Sequence, residues 1–241
     1  MDLAERPPYN NARFKIGLYD WDLFRGPHAG DTAPDFTVTD LETGDPVSLS
    51  DFKGKWLVIE AGSSTCSMYT KNIPGMEDLR AEHPDVEFVV IYVREAHPGE
   101  RLHQHRNFDE KVAAAKILKP RYSENRRVLV DDHEGSFHQP YGMKPNVVYV
   151  IRPDGVVHYR CDWAHVDGLK NALADRDSLH KQEHADMEKL HATRGMGIAI
   201  RTMWTGGLIA LWDFFAAGPE LLRCHKFEDE YYREHGRFRN Q

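Results

Sequence analysis

An α/β fold, with a central mixed β-sheet flanked by helices, is what this sequence predicts, and three observations predict it. Trp56-Leu57-Val58-Ile59, Val86 through Val93 and Asn146 through Ile151 are apolar runs rich in β-branched and aromatic residues, the composition of strands in a buried sheet. Segments suited to helices lie between them, at Met68 to about Glu82 and at Phe108 to Leu118. The 241 residues, 41% hydrophobic and 29% charged, supply one sizeable core with an appendage and leave no room for a largely disordered chain.

The elements follow in order. Residues 1 to about 33, rich in Pro, Asn, Asp and Gly, read as irregular chain wrapping a surface. Phe36-Thr37-Val38-Thr39 and Val47-Ser48-Leu49-Ser50 alternate around a polar turn and predict an N-terminal β-hairpin, with a short turn at Asp51-Phe52-Lys53-Gly54. The buried run Trp56 to Ile59 breaks at Gly62-Ser63-Ser64-Thr65, and Cys66 lies just past the break. Pro74-Gly75 should kink or split the helix that follows, because proline removes a backbone donor. After the Val86 to Val93 strand and the alanine-centred helix come three strands, Val128-Leu129-Val130, Asn146 to Ile151 and Val156 to Tyr159. The last two are joined by a Pro153-Asp154-Gly155 turn, and a helix with apolar positions at Val166, Leu169 and Leu173 closes the unit.

A βαβ core followed by a β-hairpin and a final helix is the thioredoxin-like order, in which a reactive cysteine sits where the first core strand hands over to its helix. Pro145, directly before the fourth core strand, stands where that fold carries a cis-proline. Beyond about residue 176 the chain runs through a charged stretch expected to be helical, then an apolar stretch from Ile198 to Leu222. Arg201, Asp213 and Pro219 interrupt it, which argues against a membrane span and for a helical extension packed on the core or on a second subunit. The expected organisation is an irregular segment over 1–31, the thioredoxin-like domain over 32–176 and a helical C-terminal extension over 177–241.

Composition narrows the function classes. Thirty-one basic against 38 acidic residues, a net charge of −7, offer no footprint for nucleic acid or an anionic membrane surface. The first eight residues lack a basic stretch leading into an apolar run, so no secretory signal is expected and the cytoplasm is the default location. Three cysteines are too few for a disulfide framework, and none forms a C-x-x-C pair.

Chemistry concentrates at Cys66. A thiol reacts as its thiolate, and the unpaired N–H groups of a helix N-terminus favour that form. The Ser63, Ser64 and Thr65 hydroxyls are candidates to support the sulfur or an incoming group, or to cap the helix. Gly62-Ser63-Ser64-Thr65-Cys66 resembles the active-site loop of the iodothyronine deiodinase family, with cysteine where animal deiodinases have selenocysteine. Tyr92-Val93-Arg94-Glu95-Ala96-His97, followed by His105-Arg106-Asn107-Phe108, is similar to the same family's Glu-Ala-His motif and the His-Arg helix after it. The resemblance covers about residues 32 to 175.

It implies that Cys66, Glu95, His97 and His105 are active-site residues, the histidines relaying protons and Glu95 orienting one of them. It further implies reductive dehalogenation of an aryl halide by the Cys66 thiolate, with no cofactor beyond an external thiol such as thioredoxin or glutathione. Val147 stands where the family has an arginine that helps hold iodothyronine, so that clamp is expected to be absent. Cys161 and Cys224 are the candidates to resolve an oxidised Cys66.

Two rival readings remain at this level. Gly30-Asp31-Thr32-Ala33-Pro34-Asp35-Phe36 and Leu49 to Lys55 look like peroxiredoxins as much as deiodinases, and Ser63 has the spacing of a peroxide-binding hydroxyl, which would make the chain a thiol peroxidase. A non-catalytic thioredoxin-like binding module is the other. His180-Lys181-Gln182-Glu183-His184 has the H-x-x-E-H spacing of an inverted zinc-protease motif, but its polar surroundings predict a solvated helical face and no metal. The stripe Met203, Trp204, Leu208, Leu211, Trp212, Phe214 and Phe215 must cover something, with a homodimer contact or the core favoured over a substrate lid.

Overall fold

The computed structural model describes residues 9–18 and 25–236; the start of the chain and residues 19–24 of the expected irregular segment lie outside the described residues. One eight-stranded sheet organises the chain, in the order β2-β1-β5-β4-β3-β6-β7-β8. Its strands are β1 (Thr37–Asp40), β2 (Pro46–Ser48), β3 (Trp56–Gly62), β4 (Val86–Tyr92), β5 (Arg127–Val130), β6 (Val148–Ile151), β7 (Val157–Cys161) and β8 (Lys181–Glu183). β3, β4 and β5 run parallel, β6 lies antiparallel to β3, and β7 forms a hairpin with β6. The hairpin β1–β2 joins through β5.

Period-two alternation in the central strands explains why both faces are apolar. Leu57, Ile59 and Ala61 of β3 join Val89 and Ile91 of β4 on one face, under Phe36, Phe52, Phe137 and Tyr141. Val58, Val90 and Val150 belong to the other core, with residues of α1 (Ser67–Glu82), α2 (Phe108–Ala115), α3 (Leu118–Tyr122), α4 (Val166–Ala174) and α5 (Met187–Gly206). The mixed sheet flanked by helices, in this strand and helix order, is the thioredoxin-like architecture that the sequence predicts.

Three local expectations are corrected. The first helix runs unbroken through Pro74, because Ile73, Met76 and Leu79 are buried in the core on either side of the missing hydrogen bond. The Phe108 to Leu118 helix is two helices; Pro120, which cannot donate inside a continuous helix, falls in the first turn of α3, where no donor is needed. Lys181-Gln182-Glu183 is no helix but a short strand parallel to β7 at the sheet edge, where polar residues are usual and hide a strand from periodicity. The isomer at Pro145, left open by the sequence, is trans, since the described residues contain no cis peptide bond.

The last helix, α6 (Leu208–Tyr231), leaves α5 at Gly207, whose φ of +107° is one that glycine adopts without strain. α5 packs on α1, so the extension lies over the domain. Met203 is buried, whereas Trp204, Leu208, Trp212 and Phe215 are exposed. No helix among the described residues is long and apolar enough to cross a membrane.

Candidate active site

Register brings the two motifs together. β3 and β4 are parallel with Gly62 opposite Tyr92, and Val93 donates to the Gly62 carbonyl at 3.0 Å, so the chains beyond both strands leave the sheet side by side. A Cβ at Gly62 would stand 2.5 Å from the Tyr69 ring, which is why the first turn of α1 can sit directly on the strand end. Cys66 is the N-cap of α1, with its backbone extended and its N–H donating to the Ser63 carbonyl at 3.1 Å. Its side chain is 2% exposed. Burial pushes the thiol up to about 12, although the Tyr69 and Met68 N–H groups pull the other way.

The three hydroxyls before Cys66 hold the loop rather than the sulfur. Ser63 Oγ accepts from Ala96 N–H at 3.2 Å, and Ser64 Oγ donates to the Ala114 carbonyl at 3.2 Å. Thr65 Oγ1 donates to Glu95 Oε2 at 2.6 Å and accepts from His97 N–H at 2.9 Å.

Glu95 is the hub of this buried network. It accepts from the Thr65 N–H at 3.0 Å and from the Tyr92 hydroxyl, and His105 Nε2 lies 3.4 Å from Oε1. Burial pushes its carboxyl up, but His105, Thr65 and Tyr92 outweigh that and hold it below the ordinary carboxylate range. The expected trio is therefore split. Glu95 contacts His105 behind the loop and reaches His97 only through Thr65, while His97 alone of the three shares a cavity with Cys66.

That cavity is small, about 50 Å³, and its walls include Cys66, His97, Pro145, Trp163, Phe214 and His225. The His97 ring lies 4.3 Å from Phe14 and 5.6 Å from Phe214, and its buried Nδ1 has no hydrogen-bond partner. Burial lowers this imidazole to about 3, so it is neutral near pH 7. Pro145, named from the sequence, is on the wall; Phe14, Trp163, Leu221 and His225 were not foreseen. The aromatic stripe read from the sequence supplies Phe214 alone to this wall.

Neither candidate resolving cysteine reaches the cavity. Cys161 is the last residue of β7, and its buried thiol donates to the Trp163 carbonyl at 2.9 Å. Cys224 packs half-buried with Phe14 and Ile16. All three cysteines are free thiols. The H-x-x-E-H histidines flank a strand, which separates them by roughly 13 Å instead of one helical turn. His184 instead bonds Asp229 at 2.5 Å, and no group of three metal-ligating side chains occurs among the described residues.

A thioredoxin-like sheet that places a buried cysteine at the N-cap of the helix after β3, beside a buried carboxylate–histidine loop after β4, is the frame on which the site is built. The sequence model of iodothyronine deiodinase matches residues 10–165, and the chain belongs to the iodothyronine deiodinase family. It is similar to a thyroxine 5-deiodinase of Sparus aurata, 25% identical over 149 residues, 57% of this chain and 55% of that protein. The thyroxine 5-deiodinase of Sus scrofa is 28% identical over 151 residues, 58% of this chain and 49% of its own. The chain thus spans about half the length of the curated relatives it matches. Among solved structures, a thiol:disulfide interchange protein DsbE from Chlorobium tepidum aligns with a TM-score of 0.48 at 20% identity, covering 62% of this chain and 97% of that one.

Proposed function

We propose that this chain is a thiol-dependent oxidoreductase that reductively dehalogenates an aryl halide, an iodinated phenol above all, with Cys66 as the nucleophile. One observation carries the reading: the cysteine at the N-cap of α1 and His97 of the Glu-Ala-His segment, both within the stretch matched to the deiodinase family, face one cavity. Sulfur attacks the halogen, the carbon–halogen electron pair passes to the ring carbon, and that carbon takes a proton. The resulting sulfenyl halide at Cys66 is reduced by an external thiol such as thioredoxin or glutathione, which a cytoplasmic setting would supply; no other cofactor is invoked.

Phe14, Pro145, Trp163 and Phe214 offer apolar and aromatic contacts suited to an aryl ring. A space of about 50 Å³ is far below the roughly 300 Å³ at which ligand pockets begin, so substrate enters only when the covering segments shift. Val147 in place of the clamp arginine favours a substrate smaller than an iodothyronine. Glu95 and His105 act here as positioning residues, keeping the Thr65–Cys66 turn in register with His97, and Ser63 and Ser64 brace the same turn. Exposed Leu208, Trp212, Phe215 and Leu222, which recur along one side of α6, support a homodimer, and a monomeric mass by sedimentation would remove that assignment.

The test is anaerobic iodide release from iodophenols, iodotyrosines and iodothyronines with dithiothreitol, comparing wild type with Cys66→Ser and following hydrogen peroxide consumption in parallel. Iodide release that depends on Cys66 is the expected result. Cys66-dependent peroxide turnover with no iodide from any compound would replace this reading by a thiol peroxidase.

A further inference from the structure

A thiol pushed up to about 12 is protonated near neutrality and needs a base before it can attack. His97 is poorly placed to manage that proton, because its ring lies between two phenyl groups with no polar partner at Nδ1 to fix a tautomer or stabilise a cation. The wall contributed by α6 is different. His225 lines the same cavity, its Nδ1 lies 3.2 Å from Glu228 Oε2, and its ring meets Trp163 edge-on at 5.3 Å.

Glu228 is itself fixed. It accepts from Lys144 Nζ, an ion pair almost wholly buried, and from Trp163 Nε1 at 3.1 Å. Burial pushes its carboxyl up, but Lys144 and His225 prevail and hold it below the ordinary range. Among the described residues, the charged and titratable groups facing His225 include Glu228 on its own helix, Lys144 from the segment before β6, and Cys66 and His97 on the same cavity. Cys66 and His225 line one cavity with no hydrogen bond between them, and an imidazole oriented by a carboxylate is the kind of group by which weak nucleophiles are activated on unrelated folds. His225 and Glu228 lie beyond residue 165, where the family match ends.

We propose that His225, oriented by Glu228, is the proton-transfer residue of the Cys66 site. Its Nε2 takes the thiol proton as the sulfur attacks the halogen and gives the same proton to the ring carbon as the carbon–halogen electron pair arrives there. The S–H and carbon–halogen bonds break, the sulfur–halogen and C–H bonds form, and two electrons pass from sulfur to carbon with no net proton uptake. Two equivalents of external thiol then return the sulfenyl halide to the Cys66 thiol, releasing hydrogen halide and leaving the reductant as its disulfide. The inference rests on the dehalogenation reading and supplies its missing base.

The experiment uses the full chain and diiodophenol with dithiothreitol, in wild type, His225→Gln, His225→Ala, Glu228→Gln and His97→Gln, with Cys66 alkylation by iodoacetamide followed separately by peptide mass spectrometry. His225→Gln is expected to lower kcat by on the order of 10²-fold at a KM within about threefold of wild type. Its alkylation rate should fall by about tenfold or more, and added imidazole should restore His225→Ala, which a merely structural residue would not allow. Glu228→Gln, nearly isosteric and so the second variant should His225 substitutions not fold, is expected to lose about tenfold in kcat with no response to imidazole. Wild-type kcat and alkylation in His225→Gln, or imidazole rescue confined to His97 variants, would overturn the proposal. No iodide release from wild type overturns the dehalogenation reading and His225's delivery of a proton to carbon, while alkylation that still depends on His225 supports it as the Cys66 base.

Discussion

His97 can be tested without any substrate, through the pH dependence of stability. Its folded-state value is lowered by burial to about 3, and that of His138 likewise, against an ordinary 6.5. Both are neutral in the folded chain at pH 5, whereas the unfolded chain protonates them below 6.5; the unfolded state binds the extra protons, so stability falls as pH drops. One pH unit is worth about 1.4 kcal/mol per group, so between 6.5 and 5 each histidine removes about 2 kcal/mol. Together they should remove about 4 kcal/mol over a window that ordinary carboxylates barely enter. Partly buried His158, also lowered, adds to the loss with the same sign.

The perturbation is His97→Leu, which keeps an apolar side chain between Phe14 and Phe214 and removes the titrating ring. Urea unfolding at pH 7.0, 6.0 and 5.0, with constant m-value as the check on two-state behaviour, measures the slope. His97→Leu should lose about 2 kcal/mol less than wild type between pH 7 and 5 while leaving the His138 share intact. Coincident slopes in the two proteins would refute the reasoning, since they would mean that water reaches the His97 ring and that it titrates alike folded and unfolded.

Three further results are expected. Raised from an ordinary 9.0 to about 12, the Cys66 thiol presents about a thousandfold fewer thiolates, so its alkylation by iodoacetamide at pH 7 should lag an exposed cysteine by at least that factor; equal rates would show an open cavity. Tyr92→Phe removes a donor to Glu95 and the acceptor for Ser64 N–H, and should cost about 1–3 kcal/mol by urea unfolding together with a fall in iodide release. Arg126 lies between Glu60 and Glu124, paired at 2.6 and 2.7 Å with all three side chains buried, so Arg126→Leu should cost about 3–5 kcal/mol, and an unchanged midpoint would show that the carboxylates find other partners.

How far the sequence could be read depended on the kind of signal each element carries. The central strands are continuous β-branched runs that must be buried on both faces, so β3, β4 and β6 were legible, and with them the turn that presents Cys66. β8 was not, because an edge strand of Lys, Gln and Glu has no apolar period to detect. In the site, Cys66, Glu95, His97 and His105 could be grouped through the resemblance of their two motifs to the deiodinase family, and the parallel register of β3 and β4 is the structural reason those segments leave the sheet side by side. The division of labour could not: that Glu95 meets His105 while His97 lines the cavity is set by tertiary packing. His225 lies 159 residues from Cys66 in the chain, and nothing in local pattern connects them; only the packing of α6 does.

That packing also dictates how the cavity must open. The start of α6 is held by exposed Glu100, which accepts from the Leu208 and Ile209 N–H groups at 2.5 and 2.9 Å, and by half-exposed Arg13, which forks onto buried Asp213. The Glu100 contacts are open to water and screened, and the Arg13 guanidinium can be hydrated without leaving its place. The end of α6 is held inside, by Glu228 on Lys144 and Trp163 and by the Tyr232 hydroxyl on buried Asp162 at 2.6 Å, where breaking a pair strands a charge away from water. Between the two halves stands Pro219, which cannot donate to the Phe215 carbonyl and leaves the helix with a ready bending point. Phe214 is on the loosely held side and His225 on the fixed side, so Phe214 should swing away while His225 stays against Trp163. Hydrogen exchange measures this directly: amides from Leu211 to Phe215 should exchange faster than those from Leu222 to Glu228 by at least about tenfold, a difference of 1.4 kcal/mol in opening free energy. Uniform protection along the helix would mean that α6 leaves as a rigid unit, taking His225 with it, and a base that departs when the substrate arrives could not serve Cys66.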